Sequence, residues 1–157
     1  MKIIAHRYHD FNYGHRVHGH EGKCAHLHGH SGRVTFYCLA SEGLDSVGRV
    51  IDFSVIKSKL CMWVEDAWDH KFLAWDNDPY MRSIQAMSEQ GKADKVSSSA
   101  ETMLRESIIW VPFNPTAENM ASHLLNFVGP ILLADLNVTL VRVDLMETRK
   151  CGVTVQL

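Results

Sequence analysis

No lysine- or arginine-rich run occurs in this chain of 157 residues, and its formal charge is only -2. A nucleic acid or an anionic membrane would need an electrostatic footprint that is missing here, so neither is an expected partner. No apolar stretch approaches the length of a membrane span, and Met1-Lys2-Ile3-Ile4-Ala5-His6-Arg7 turns polar too soon for a secretory leader, so a cytoplasmic protein is expected. Neither GxGxxG, nor a P-loop, nor an internal repeat is present, which sets dinucleotide and P-loop chemistry aside. CxxC pairs are lacking too. The four cysteines, at 24, 38, 61 and 151, are widely spaced in a chain too large to require a disulfide framework, and are expected as reduced thiols. Hydrophobic residues at 46% and charged residues at 22% exclude a disordered or fibrous chain, and the length suits one domain, 1–157.

What the chain does have is histidine, ten in all, and one dense stretch: Lys23-Cys24-Ala25-His26-Leu27-His28-Gly29-His30. If Leu27 to His30 is extended, the two-residue side-chain period puts His28 and His30 on one face, aimed at one point. Metal binding needs further ligands. His15 is an upstream candidate, His26 shares the parity of the pair, and His18 and His20 lie nearby, so spacing leaves the third ligand open. Three imidazoles suit Zn²⁺, and three protein ligands with an open fourth position are the arrangement of a catalytic zinc. Cys24 either closes such a site as a fourth ligand or stands beside it, where a nearby cation favours its thiolate as base or nucleophile. His6, His9 and His123 carry no signal of this kind.

Alternation predicts strands over 3–18 and 32–40, the second through Val34, Phe36, Cys38 and Ala40, joined as a hairpin by a Gly19- and Gly22-containing connection. Ile56, Leu60, Trp63 and Ala67 have helical spacing, with Asp52 or Ser54 as cap and an end near Asp69-His70. Pro79 starts a short helix through Met87, and Glu89 to Ala100 is polar enough for a loop. Ile108 to Val111 resembles a short strand. Thr116 caps a helix that is expected to stop at Gly129-Pro130. Val138 to Glu147 and Cys151 to Leu157 form a terminal hairpin. The result is an α+β domain with two helices covering one face of an antiparallel sheet. Asp69-His70 is either a polar helix end or a carboxylate orienting an imidazole for proton transfer. Glu147 continues the apolar row of Val141, Val143 and Leu145, where a carboxylate suits gripping a guanidine-like edge through two hydrogen bonds.

These residues carry a family likeness. Cys24-x-x-x-His28-Gly29-His30, preceded by Phe11-x-x-x-His15-Arg16 and followed by Val50-Ile51-Asp52-Phe53, Asp69-His70-Lys71-Phe72-Leu73, Asn114-Pro115-Thr116-Ala117-Glu118-Asn119 and Glu147-Thr148, resembles the 6-pyruvoyltetrahydropterin and 6-carboxytetrahydropterin synthase family. The resemblance implies a tunnelling fold, ββααββ subunits forming trimeric barrels that stack into hexamers with active sites between subunits. It implies His15, His28 and His30 as zinc ligands, Cys24 as the catalytic thiol with Asp69 and His70 as its relay, and Glu147 as the pterin anchor. The three-residue gap between Cys24 and His28 looks like the bacterial 6-carboxytetrahydropterin synthase of queuosine biosynthesis, a zinc lyase acting on dihydroneopterin triphosphate. The pyruvoyl synthase and a pterin side-chain aldolase of the same fold are the alternatives. A non-catalytic zinc-stabilised assembly module, with Cys24 as fourth ligand, is the alternative from another class. The polyanionic tail of such a substrate needs cations, for which Arg16, Lys23 and Arg49 are candidates. The segment 85–107 is expected as a peripheral insertion.

Overall fold

The computed structural model describes residues 1–93 and 105–157. Strand β1 (Ile4–His15) and strand β2 (His28–Ala40) pair antiparallel along their whole length, from Ile4 opposite Leu39 to His15 opposite His28. Alternation divides them by face. Phe11, Tyr13 and His15 of β1 are buried with Gly32, Val34, Phe36 and Cys38 of β2, while Asp10 and Arg33 pair on the exposed face. Strand β2 therefore begins four residues before the expected Gly32, and β1 ends at His15 rather than at 18. Two glycines at the pairing positions explain the extension. A Cβ on Gly29 would come within 3.1 Å of the Tyr13 carbonyl, and one on Gly32 within 3.0 Å of the Tyr13 ring, so the missing side chains let the strands close up here.

A helical run, α1, comes next in three consecutive pieces: Phe53–Ile56, a wider π-type turn over Lys57–Cys61, and Met62–Ala67. Asp52 caps it, its carboxylate accepting the Ser54 N–H at 2.8 Å. The expected buried row ran through Trp63 and Ala67, but the observed one is Ile56, Leu60, Val64 and Trp68, with Trp63 and Ala67 only partly buried. The π-type turn holds more residues per turn and rotates the helix beyond it, so spacing by four stays on the core side.

The chain then returns alongside β1 as β3 (Lys71–Trp75), parallel to it, and β4 (Ile108–Val111) adds parallel to β3. Strand β5 (Val138–Met146) pairs antiparallel with β2, and β6 (Gly152–Gln156) with β5. The order is β4-β3-β1-β2-β5-β6. The strands expected at β1, β2, β5 and β6 are antiparallel neighbours, and β4 forms at the expected Ile108–Val111; the unpredicted β3, and its parallel pairing with β1 and β4, make the sheet mixed. Lys71-Phe72-Leu73-Ala74-Trp75 shows no alternation because Leu73 and Ala74 are both buried, and a two-sided strand has no period-two signal.

Helix α2 (Pro79–Ala93) runs past the expected end at Met87; the remainder of the expected loop and insertion, 94–104, lies outside the described residues. Helix α3 comprises Ala117–His123, a π-type turn over Leu124–Val128, and Gly129–Leu132. Thr116 caps it as expected, accepting the Asn119 N–H at 3.2 Å. The helix does not stop at Gly129-Pro130. Gly129 donates its N–H five residues back to Leu124, and the wider turn carries the chain past a proline that has no N–H to give. The core lies between the two long helical runs and one sheet face, with Met120, Leu124, Phe36, Val143 and Leu145 among its fully buried side chains. Among the described residues, no helix is long and apolar enough to cross a membrane.

Candidate active site

The β1–β2 register brings the three histidines together. Tyr13 stands opposite His30 and His15 opposite His28, all on the core-facing side at the end of the hairpin. One nitrogen of each imidazole lies within 4.8 Å of the others, which places His15, His28 and His30 to bind a metal ion. His15 Nε2 and His28 Nε2 are 3.1 Å apart. Two ligands at ~2.0 Å from a tetrahedral ion stand roughly 3.3 Å apart, so the spacing fits a shared ion.

Hydrogen bonds behind the rings set which nitrogen faces inward. His15 Nδ1 lies 2.7 Å from the Pro115 carbonyl, and His28 Nδ1 lies 2.7 Å from the His26 carbonyl. A carbonyl only accepts, so both Nδ1 atoms carry the proton and both Nε2 atoms present lone pairs. His30 Nε2 is buried with no hydrogen-bond partner among the described residues. Two lone pairs facing each other and an orphaned third nitrogen are costly without an electrophile between them, and the donor set therefore fits a metal.

Burial pushes the His15 imidazole down to about 4, against the hydrogen bond to Pro115, and the neighbouring His28 and His30 add to the depression. Burial pushes His30 down as well, opposed by Glu147 and helped by His28. The neutral rings this favours are the form a metal requires. Imidazole in an unfolded chain protonates near pH ~6.5. Between that value and about 4 the unfolded metal-free chain binds the extra proton and the folded one does not. Stability from His15 is therefore whole above pH ~6.5 and is lost as pH falls towards ~4, on the order of 3 kcal/mol in all. Urea unfolding of the metal-free protein at pH 7 and pH 4.5 should show a markedly lower midpoint in acid; equal midpoints would contradict the assignment.

Glu147 follows β5 directly and lies over this centre, Oε1 3.7 Å from His15 Nε2 and Oε2 3.9 Å from His30 Nε2. Tyr13 donates its hydroxyl to Glu147 at 3.4 Å, and its ring packs edge-on against His15. Burial and the Glu147 charge raise the Tyr13 phenol, which stays protonated as a donor. Sequence reasoning missed Tyr13, although its parity with His15 in β1 was the available signal. The Pro115 and His26 carbonyls were beyond reach, since a backbone acceptor has no residue signature.

His70 is the single non-glycine residue with a positive φ among the described residues, at 56°. Its N–H donates to the Asn12 carbonyl at 2.7 Å, and the Asn12 N–H donates to Asp69 Oδ1 at 2.7 Å. The other Asp69 oxygen contacts His70 Nδ1. Burial raises the Asp69 carboxyl, but the Asn12 N–H and the His70 contact outweigh it and hold the group below the usual carboxylate range. A backbone in a sparsely populated conformation, pinned on both sides, thus aims the imidazole outward. His28, His30 and His70 line one open cleft of about 660 Å³ with Lys71 and Phe72.

Cys24 is not brought into the histidine group. It sits half-buried in a short turn, Lys23–Ala25, and does not line that cleft. His26 is exposed and contributes its carbonyl, not its ring. Of the three proposed cations, Arg16 is paired with the buried Asp78 and Arg49 with Asp45 and Asp52, so neither offers a free charge. Lys23 is exposed.

A model of the 6-pyruvoyl tetrahydropterin synthase family matches residues 4–157. The 6-carboxy-5,6,7,8-tetrahydropterin synthase of Rickettsia typhi is 34% identical over 93% of this chain and 94% of that protein. Its counterpart from Rickettsia felis is 33% identical over the same shares. Among solved structures, an uncharacterised protein of Wolinella succinogenes superposes with a TM-score of 0.85 at 27% identity, over 99% of this chain and 98% of that one. The 6-pyruvoyl tetrahydropterin synthase of Caenorhabditis elegans shares the fold, with a TM-score of 0.63 at 20% identity over 100% of this chain and 96% of that one. With the family match spanning every strand and helix described above, the chain belongs to the 6-pyruvoyl tetrahydropterin synthase family.

Proposed function

We propose that this protein is a zinc-dependent lyase that converts 7,8-dihydroneopterin triphosphate and water to 6-carboxy-5,6,7,8-tetrahydropterin, acetaldehyde and triphosphate, in queuosine biosynthesis in the cytoplasm. The observation that carries the proposal is the convergence of three imidazole nitrogens, two with lone pairs aimed inward and one orphaned, in a family of tetrahydropterin synthases. The relatives from Rickettsia bear the name of this activity, which favours it over the pyruvoyl and aldolase outcomes.

His15, His28 and His30 would hold the ion. Zinc bound there supplies Lewis acidity that polarises substrate oxygens and makes the adjacent C–H bonds more acidic. Glu147 accepts two hydrogen bonds from the pterin edge and thereby orients the ring. Cys24 as thiolate removes and returns protons on the side chain, and His70, held by Asp69, moves another. The outer strands β4 and β6 have one sheet neighbour each among the described residues, which supports edge-to-edge assembly. A homohexamer of two trimers, with sites between subunits, is the assembly we propose, and light scattering checks it.

The test is incubation of the zinc-loaded protein with 7,8-dihydroneopterin triphosphate and mass spectrometry of the products. The expected products are 6-carboxytetrahydropterin and acetaldehyde; fully loaded protein that never yields acetaldehyde would defeat the proposal. The assembly-module alternative needs Cys24 as a ligand, and its absence from the histidine group counts against it.

A further inference from the structure

We propose that Arg16, locked to the buried carboxylate of Asp78, is a positioning residue that sets the turn carrying Cys24. The inference rests on the catalytic role proposed for Cys24. That turn, Lys23–Ala25, has no fully buried residue of its own and is closed by two local bonds, Ala25 N–H to Gly22 at 3.1 Å and His26 N–H to Lys23 at 3.0 Å. With no side chain anchored in the core, the turn takes its position from the groups that reach it from outside. Arg16 reaches it: Nε donates to the Ala25 carbonyl at 2.8 Å, and the neighbouring Val17 N–H donates to the Cys24 carbonyl at 2.8 Å.

The other arm of the guanidinium, Nη1, is bonded to Asp78 Oδ2. Asp78 is 1% exposed and Arg16 12%. Asp78 is itself immobilised at the corner between β3 and α2. Its Oδ1 accepts the Tyr80 N–H at 3.0 Å, its N–H donates to Trp75 at 3.1 Å, and its carbonyl accepts the Arg82 N–H at 3.0 Å. Tyr80 closes over the guanidinium, 4.8 Å from its ring centre, and His18 stands 3.6 Å from Asp78 Oδ1. A carboxylate this buried cannot release its cation without a large desolvation cost. Arg16 is therefore a fixed fork with one prong on the body of the fold and the other on the Cys24 turn. Because Arg16 directly follows His15, the fork also sets the turn relative to the histidine centre. A lysine supplies charge but not two donors in fixed directions.

Arg16→Lys separates the two contributions. Zinc content and hexamer should be retained, kcat should fall roughly 10- to 100-fold with KM within about twofold, and Cys24 should alkylate with iodoacetamide at an altered rate, read peptide by peptide in a mass spectrometer. A double variant, Arg16→Met with Asp78→Leu, leaves neither charge unpaired and should show the same change in Cys24 reactivity. Unchanged kcat together with unchanged Cys24 alkylation in Arg16→Lys overturns the proposal, as does zinc loss in proportion to the lost activity. Alkylation needs no substrate. A protein that makes no 6-carboxytetrahydropterin would defeat the proposed function and leave the fork testable, whereas wild-type alkylation in both variants would defeat the fork and leave the function standing.

Discussion

Replacing His15 by alanine is expected to empty the metal centre and abolish turnover, while replacing His26 by alanine leaves metal content unchanged. The two residues were equal candidates by spacing, and they differ in where the fold puts them. His15 is 1% exposed, hydrogen-bonded through Nδ1 to Pro115, with Nε2 3.1 Å from that of His28. His26 is exposed, and the atom that matters is its carbonyl, which alanine keeps. Loss of a hydrogen-bond partner behind a ligand costs roughly 10- to 100-fold in metal affinity; loss of one of three ligands should cost more. Elemental analysis of the purified variants is the measurement, with Cys24→Ala as a further comparison that should keep its metal. A His15→Ala protein with a full complement of metal, or a His26→Ala protein without it, would remove the three-histidine assignment.

Asp69→Asn should lower kcat by roughly 10²- to 10⁴-fold with little change in stability, if His70 transfers a proton as proposed. Asp69 performs two tasks with two oxygens. Oδ1 accepts the Asn12 N–H at 2.7 Å and Oδ2 faces His70 Nδ1. Asparagine retains the first task through its carbonyl oxygen, so the β1 contact survives. On the second it presents an N–H₂, which forces His70 Nδ1 to become the acceptor and moves the ring proton to the nitrogen facing the cleft. The imidazole then starts in the wrong tautomer. Steady-state kinetics with metal-loaded enzyme decides the matter, and a variant at wild-type kcat would show that Asp69 is only a helix-end residue.

Much of the frame was legible because it is local. The alternation of Val34, Phe36 and Cys38 and the caps at Asp52 and Thr116 each rest on neighbours within a few residues, and each appears in the fold as expected. The misses have a common cause. Strand β3 is buried on both sides and so lacks a period, the π-type turns shift the core row from Trp63 to Val64, and the same device carries α3 past Pro130. None of these is visible in a chain read against ideal periods of two and 3.6.

For the candidate site, the sequence alone determined that His28 and His30 point the same way, because a strand's side chains alternate regardless of what surrounds them. It also made Asp69-His70 adjacent, since they are covalent neighbours. The third histidine was a tertiary decision. Spacing left it open and the family resemblance named His15; physically, the register that sets His15 opposite His28 and Tyr13 opposite His30 brings His15 rather than His26 into the group, and that register is held by pairing along the whole hairpin. The fold likewise sets Arg16 against Asp78, 62 residues away in the chain. Ligand direction within one strand is fixed by local stereochemistry, whereas the partner across the strand, and the carboxylate that buries a charge, are chosen by which distant segments the core brings together.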